Sequence, residues 1–153
     1  LSARLYRLAQ NERKTRIAAA LALMGLTDAR DRRVSTYSGG MARRLEVAQS
    51  TLHQPAVLFL DEPTVGLDPG GRRAVWDHVR ELRKRIGAAV VFSTHYMEEV
   101  EDVADRVAII AGGRLATIGA PIDLKARQGA NASLEDVFSA LAGESLSPAG
   151  TAP

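Results

Sequence analysis

The sequence predicts an α/β domain with a parallel sheet and flanking helices, and three observations carry that reading. Two short apolar runs, residues 57–60 and 88–92, show no polar alternation, as expected of strands covered on both faces. A segment of helical period lies between them, giving the strand, helix, strand order of a parallel sheet. The composition, 46% apolar and 25% charged over 153 residues, is that of one compact soluble domain rather than a disordered tail or a fibre.

Taken in order, residues 12–25 place Ile17, Ala20, Leu21 and Met24 at helical spacing, with Gly25 set to end the helix. A polar stretch, 27–36, leads into Tyr37-Ser38-Gly39-Gly40. Met41, Leu45, Ala48 and Leu52 then resume a helical period, which makes Ser38 an N-cap. Pro55 closes that segment. The first strand stops at Asp61-Glu62-Pro63, and the loop 64–71 carries Gly66, Pro69, Gly70 and Gly71. Val75, Val79, Leu82 and Ile86 form the next helical stripe, closed by Gly87. The second strand ends at Ser93-Thr94-His95, before a charged helix through Glu98, Glu99 and Glu101. Runs 107–110 and 115–118 flank Ala111-Gly112-Gly113, a hairpin signal that is expected to add an antiparallel edge to the sheet. Two short helices are expected over 121–127 and 134–141, then a frayed tail over 143–153.

Composition also excludes. Without cysteine there is no disulfide, thiolate metal site or cysteine nucleophile. Twenty basic against 18 acidic residues leave a formal charge of +2, which by itself points to no polyanion partner. The Arg pairs 32–33, 43–44 and 72–73 and the run 83–85 are interleaved with acids and read as solvated surface. Trp76, His53 and His78 are expected in helices as packing or surface residues. No apolar run approaches the roughly 18 residues that a membrane span needs. The chain begins at Leu1 without a basic, then apolar leader, and is expected to be a cut piece.

Ligands in α/β sheets collect beyond the carboxyl ends of the strands. Both strands end there in ionisable residues: Asp61 and Glu62 offer a carboxylate for Mg²⁺ and another to accept a proton, and His95 could touch a phosphate or orient a water. Ser38-Gly39-Gly40 at a helix start is a ready anion site. Each feature alone has an ordinary structural reading: an acidic turn, a capping histidine, a glycine-rich cap.

Together, in this order, they resemble the ATP-binding-cassette (ABC) ATPases. Residues 37–41 resemble the signature motif, 57–62 the Walker B strand with its glutamate, Gly66-Leu67-Asp68-Pro69 the D-loop, and His95 the H-loop. Asp61 follows Ser38 by 23 positions and His95 follows Glu62 by 33, separations that agree with the family. Residues 93–101 and 133–138 are most similar to the drug-exporter branch. The resemblance implies a P-loop NTPase-type parallel sheet, incomplete here and preceded by the ABC helical subdomain. Residues 1–142 would be the C-terminal part of a nucleotide-binding domain, with the helical subdomain over 1–54 and part of the catalytic core over 55–142.

The resemblance further implies that Glu62 polarises the attacking water, Asp61 positions Mg²⁺ through water and His95 contacts the γ-phosphate. Ser38, Gly39, Gly40 and Met41 would clasp ATP bound to the opposite protomer, and Asp68 would lie at the dimer interface. Met41 stands where the family usually has Gln. ATP and Mg²⁺ are the implied cofactors. The implied partners are a second nucleotide-binding domain, as a homo- or heterodimer, and a separate membrane-spanning permease, with no nucleic acid; the implied place is the cytoplasmic face of the membrane. No Gly-x-x-x-x-Gly-Lys-Ser/Thr occurs in the sequence, nor the adenine-stacking aromatic and glutamine loop that precede the signature in the family. The 153 residues alone are therefore expected to be inactive, with an apolar strand face left uncovered. The alternatives are a non-catalytic cassette fragment and a soluble ABC ATPase of DNA repair or translation.

Overall fold

The computed structural model describes residues 2–129 and 131–146, the side chains of 142–146 excepted. The chain divides into two compact units, residues 1–93 and 94–153.

In the first unit, helices α1 (Ser2–Leu5) and α2 (Gln10–Leu23) precede two 3₁₀ turns, Thr27–Ala29 and Val34–Thr36. The first of these helices has too little periodicity to be read from sequence. Helix α3 (Gly39–Thr51) leads to strand β1 (Val57–Asp61), helix α4 (Pro69–Ile86) and strand β2 (Ala89–Ser93). The helices share an apolar core in which Met24 and Val75 are fully buried, with Ala48 and Leu67 packed beside them. Arg44 holds the end of α2: its Nη1 donates to the Met24 carbonyl at 2.7 Å. Gly87, in the left-handed region at φ 65°, ends α4 as expected.

Strands β1 and β2 pair in parallel, Val57 opposite Ala89 through Asp61 opposite Ser93. The expectation of cover on both faces is corrected. Leu58 and Leu60 are buried, whereas Phe59 is 73% exposed and Val57 and Val91 stand beside it on the open face. The two strands form a two-stranded sheet, with α3 against β1 and α4 against β2. The apolar face expected to be uncovered is uncovered. At about 25 cal/mol per Å² of apolar surface, that face forfeits several kcal/mol of potential burial.

The second unit holds helix α5 (Met97–Val103), strands β3 (Val107–Ala111) and β4 (Arg114–Gly119), and helices α6 (Pro121–Gln128) and α7 (Leu134–Leu146). Gly112 and Gly113 both have positive φ, 56° and 72°, the geometry of a type I′ hairpin turn. The hairpin is a sheet of its own, which corrects the expected antiparallel edge on the parallel sheet. Its ladder bonds are satisfied locally by the tight turn, with one irregularity between Ile109 and Ile110. Helix α7 runs past Leu141 through residues 143–146 of the expected tail; 147–153 lie outside the described residues. Its start is a reciprocal cap, with Ser133 N donating to Asp136 Oδ2 at 2.8 Å and Asp136 N to Ser133 Oγ at 3.1 Å. The Ser133 N–H, and then the Ser133 hydroxyl donating to the same Oδ2 at 2.7 Å, hold the Asp136 carboxyl below its ordinary pKa.

Candidate functional site

Ser38 caps α3 as the sequence predicts: its hydroxyl accepts from Met41 N at 3.2 Å. Ser38 and Gly39 are exposed and the first turn carries no acidic side chain, so the partial positive charge of the helix start is uncompensated. A Cβ added at Gly39 would meet nothing within 4 Å, whereas one at Gly40 would press Leu67 Cδ2 at 3.3 Å. Packing within the chain therefore favours small size at Gly40, where Leu67 would have to give way slightly, and leaves Gly39 open. Met41 is half-buried and packs against the core. An exposed capped helix start beside an open glycine fits an anionic phosphate.

At the end of β1, Asp61 is exposed and accepts from Ser93 Oγ at 2.5 Å, and the same Oγ accepts from Glu62 N at 3.0 Å. Ser93 thus ties the two strand ends together. Glu62 is half-buried with φ 46°, a left-handed backbone that costs a side-chain-bearing residue on the order of 1–2 kcal/mol. Arg43 offsets that cost. Its Nη2 donates to the carbonyls of Asp61 and of Glu62, the latter at 2.7 Å, while Nη1 pairs with Glu46 Oε2 at 2.9 Å. Charge-assisted bonds of this kind contribute roughly 1.5–3 kcal/mol each. Sequence reasoning missed Arg43. It sat in a run read as solvated surface, and its partners lie 18 and 19 positions away, beyond the reach of any local pattern.

Among the described residues no group of three His, Cys, Asp or Glu could hold a metal ion. Asp61 beside Glu62 fits Mg²⁺ that keeps most of its waters, which needs only one or two carboxylates.

The loop after Pro63 buries Thr64 and Leu67 and turns at Gly66, φ 74°. Asp68 then caps α4, its Oδ1 accepting from Gly71 N at 3.2 Å, and remains exposed. These residues all belong to the first unit. His95 belongs to the second, where it is exposed before α5 with its ring 4.2 Å from that of Tyr96.

Trp76, His78 and His53 divide between core and turn. Trp76 is buried against Phe92, ring centroids 4.6 Å apart. His78 is buried on α4, with Nε2 2.6 Å from Thr51 Oγ1 at the end of α3. Burial, then the charge of Arg85, pushes its pKa below the ordinary 6.5. His53 lies in the turn after α3 rather than in a helix, because α3 ends at Thr51, and it stacks on Tyr6 at 4.0 Å.

A family model described as ABC transporter matches residues 2–65. The chain is 39% identical over 132 residues to the linearmycin resistance ATP-binding protein LnrL of Bacillus subtilis, covering 86% of this chain and 42% of that protein. It is 48% identical over 118 residues to the daunorubicin/doxorubicin resistance ATP-binding protein DrrA of Streptomyces peucetius, covering 77% of this chain and 36% of that protein. A solved structure of an ATP-binding subunit of an ABC transporter superposes with a TM-score of 0.82 at 26% identity, over 92% of this chain and 58% of that one. The chain spans less than half the length of these two curated relatives. With the signature-like helix start, the Asp61-Glu62 strand end and these similarities in hand, the chain belongs to the ABC transporter family, among its ATP-binding subunits.

Proposed function

We propose that these residues form part of an ATP-hydrolysing subunit that powers an exporter of drugs or similar hydrophobic compounds. The observation that carries the reading is Glu62, a carboxylate at the strand end whose backbone is locked in a left-handed conformation by Arg43 and Ser93. Strain held in this way is characteristic of functional positions.

In this reading Glu62 takes the proton of the attacking water. The water oxygen bonds to the γ-phosphorus, the bond to the β,γ-bridging oxygen breaks, and ADP and phosphate leave. Asp61 orients the waters around the metal, and Mg²⁺, when bound, neutralises phosphate charge. His95 steadies the γ-phosphate. Ser38, Gly39 and Gly40, with Met41, receive the phosphate held by a second cassette, and Asp68 lies at the junction of the two, so hydrolysis depends on dimerisation. The division at 54/55 separates the part that clasps from the part that hydrolyses. No helix among the described residues is long and apolar enough to cross a membrane. We further propose a separate membrane-spanning permease as the partner, with the cassette at the cytoplasmic membrane face.

A P-loop must hold the β- and γ-phosphates for turnover, and the 153 residues contain none. Purified alone, they are expected to hydrolyse ATP at background rate. The test joins a P-loop-bearing N-terminal segment, which the family resemblance implies, in front of Leu1. Mg²⁺-dependent ATPase activity that Glu62→Gln removes supports the proposal. A folded fusion that binds ATP and never hydrolyses it, or hydrolyses it regardless of Glu62, overturns it.

A further inference from the structure

We infer that Arg43 is a positioning residue that couples the start of α3 to the backbone of Glu62 within one chain. The inference rests on the proposed function and deepens it: Ser38 to Met41 serve the nucleotide of the second cassette, whereas Glu62 serves the nucleotide of its own.

The geometry is specific. Gly39 and Arg43 are four positions apart on α3 and so share one face of the helix. Gly39 is the position with open space around its Cα, and Arg43 is the next side chain along that face. From there the guanidinium spans to both carbonyls around the Asp61–Glu62 peptide, and Glu46, one turn further on, fixes its other nitrogen. Both polar groups of the Glu62 backbone are held: Ser93 accepts from the N–H, and the C=O accepts from Arg43 at 2.7 Å and, more weakly, from Val65 N at 3.3 Å. Ser93 belongs to the strand, whereas Arg43 belongs to the helix. A shift of α3 on receiving phosphate therefore pulls on Glu62 through Arg43 and leaves the Ser93 bond behind. An arginine suits this because its rigid fork lets Nη2 donate to both carbonyls while Nη1 is held by Glu46; a lysine ammonium is a point donor on a flexible stem.

The first experiment uses the 153-residue chain and requires no nucleotide. Nuclear magnetic resonance reads the Glu62 φ through its intraresidue HN–Hα coupling and nuclear Overhauser effect. The wild type should show the positive-φ signature; Arg43→Met should lose it, and Arg43→Lys should restore it in part. Ser38→Asp should shift the Glu62 and Val65 amide resonances in the wild-type background and leave them unmoved in Arg43→Met. A Glu62 signature indifferent to Arg43, or a Ser38 effect that survives Arg43→Met, overturns the inference. Arg43→Lys, the milder change, serves the same comparison should Arg43→Met unfold. In the P-loop-bearing fusion, Arg43→Met should lower kcat about tenfold with KM for ATP changed less than twofold. Should Glu62→Gln leave the rate intact, the proposed function fails and the tether stands on the resonance data. Should Glu62→Gln stop turnover while Arg43→Met keeps full kcat, the tether alone fails.

Discussion

Helices α3 and α4 begin in the same way and are surrounded differently. Each has a polar N-cap whose oxygen accepts from the backbone N–H three residues on, at 3.2 Å in both: Ser38 from Met41, Asp68 from Gly71. Each is followed by two glycines in its first three residues. At α4 the cap is itself an anion, so the helix dipole is compensated from within. A Cβ on Gly71 would strike Asp68 Oδ1 at 2.9 Å and press Leu67 Cβ at 3.3 Å, so that glycine belongs to the cap. At α3 the cap is neutral, and the position after it faces open space. One helix start is closed on itself, and the other is left able to receive an anion from outside. A Ser/Asp-Gly pattern by itself therefore does not tell the two helix starts apart; what surrounds the glycine does.

The largest expected effect tests whether the open start works together with the strand end. In the P-loop-bearing fusion, Glu62→Gln should reduce ATP turnover by at least about 100-fold, the low end of what a general base contributes, while ATP binding persists. Steady-state hydrolysis with a parallel nucleotide-binding titration measures both. Turnover at near wild-type rate would place the base elsewhere.

Next comes the charge at the two caps. Ser38→Asp keeps a good N-cap, so thermal stability should change by less than about 0.5 kcal/mol. It should nevertheless lower the ATPase rate of the fusion about tenfold, because the helix start then resembles that of α4 and repels phosphate. Asp68→Ala should instead cost about 1 kcal/mol of stability, the usual loss of a cap. Equal losses of rate from Ser38→Asp and Ser38→Asn would show that charge is not the cause.

Much of this contrast was legible in the sequence and part was not. Ser38 as a cap, Gly87 as a helix stop and the Gly112-Gly113 turn all follow from local chemistry, in which a residue type and its immediate neighbours decide the backbone. The asymmetry between Gly39 and Gly71 depends on Leu67 and Asp68 being in or out of reach, which spacing does not reveal. Arg43 was misread for the same reason, since a long side chain can serve as surface or as a tether depending on what the fold brings beneath it. The alternation of burial in β1 was hidden because Val57 and Phe59, apolar like Leu58 and Leu60, are exposed.

The two helices also meet where the end of α3 reaches the middle of α4, through Thr51 and His78, and this contact has a pH dependence. The folded state lowers the His78 pKa by burial and then by Arg85. Between that lowered value and 6.5 the unfolded chain binds the proton more readily than the folded one. The contribution of His78 should therefore be fully present above about pH 6.5 and decline as pH falls toward the lowered value. Melting temperatures from pH 8 to 5 should show that decline in the wild type and a shallower one in His78→Gln. Identical profiles would mean that His78 is not what makes the α3–α4 contact sensitive to acid.

The smallest effect isolates the glycines themselves. Gly71→Ala places its methyl carbon 2.9 Å from Asp68 Oδ1, the atom that accepts from the same residue's N–H, so the carboxylate must leave the cap to make room. The expected cost is about 1 kcal/mol, that of a lost cap, partly offset by the better helix propensity of alanine. Gly39→Ala meets no neighbour, gains the same propensity, and should leave stability within about 0.5 kcal/mol of wild type or raise it. Denaturant unfolding of the two variants of the 153-residue chain makes the comparison without nucleotide or partner. Equal destabilisation would mean that Gly39, like Gly71, is held by contacts within the chain, and the case for an open, externally filled site at α3 would lose its structural basis. A neutral Gly39→Ala that nonetheless lowers ATPase activity in the fusion would assign that glycine's small size to what binds there, because nothing within the chain requires it.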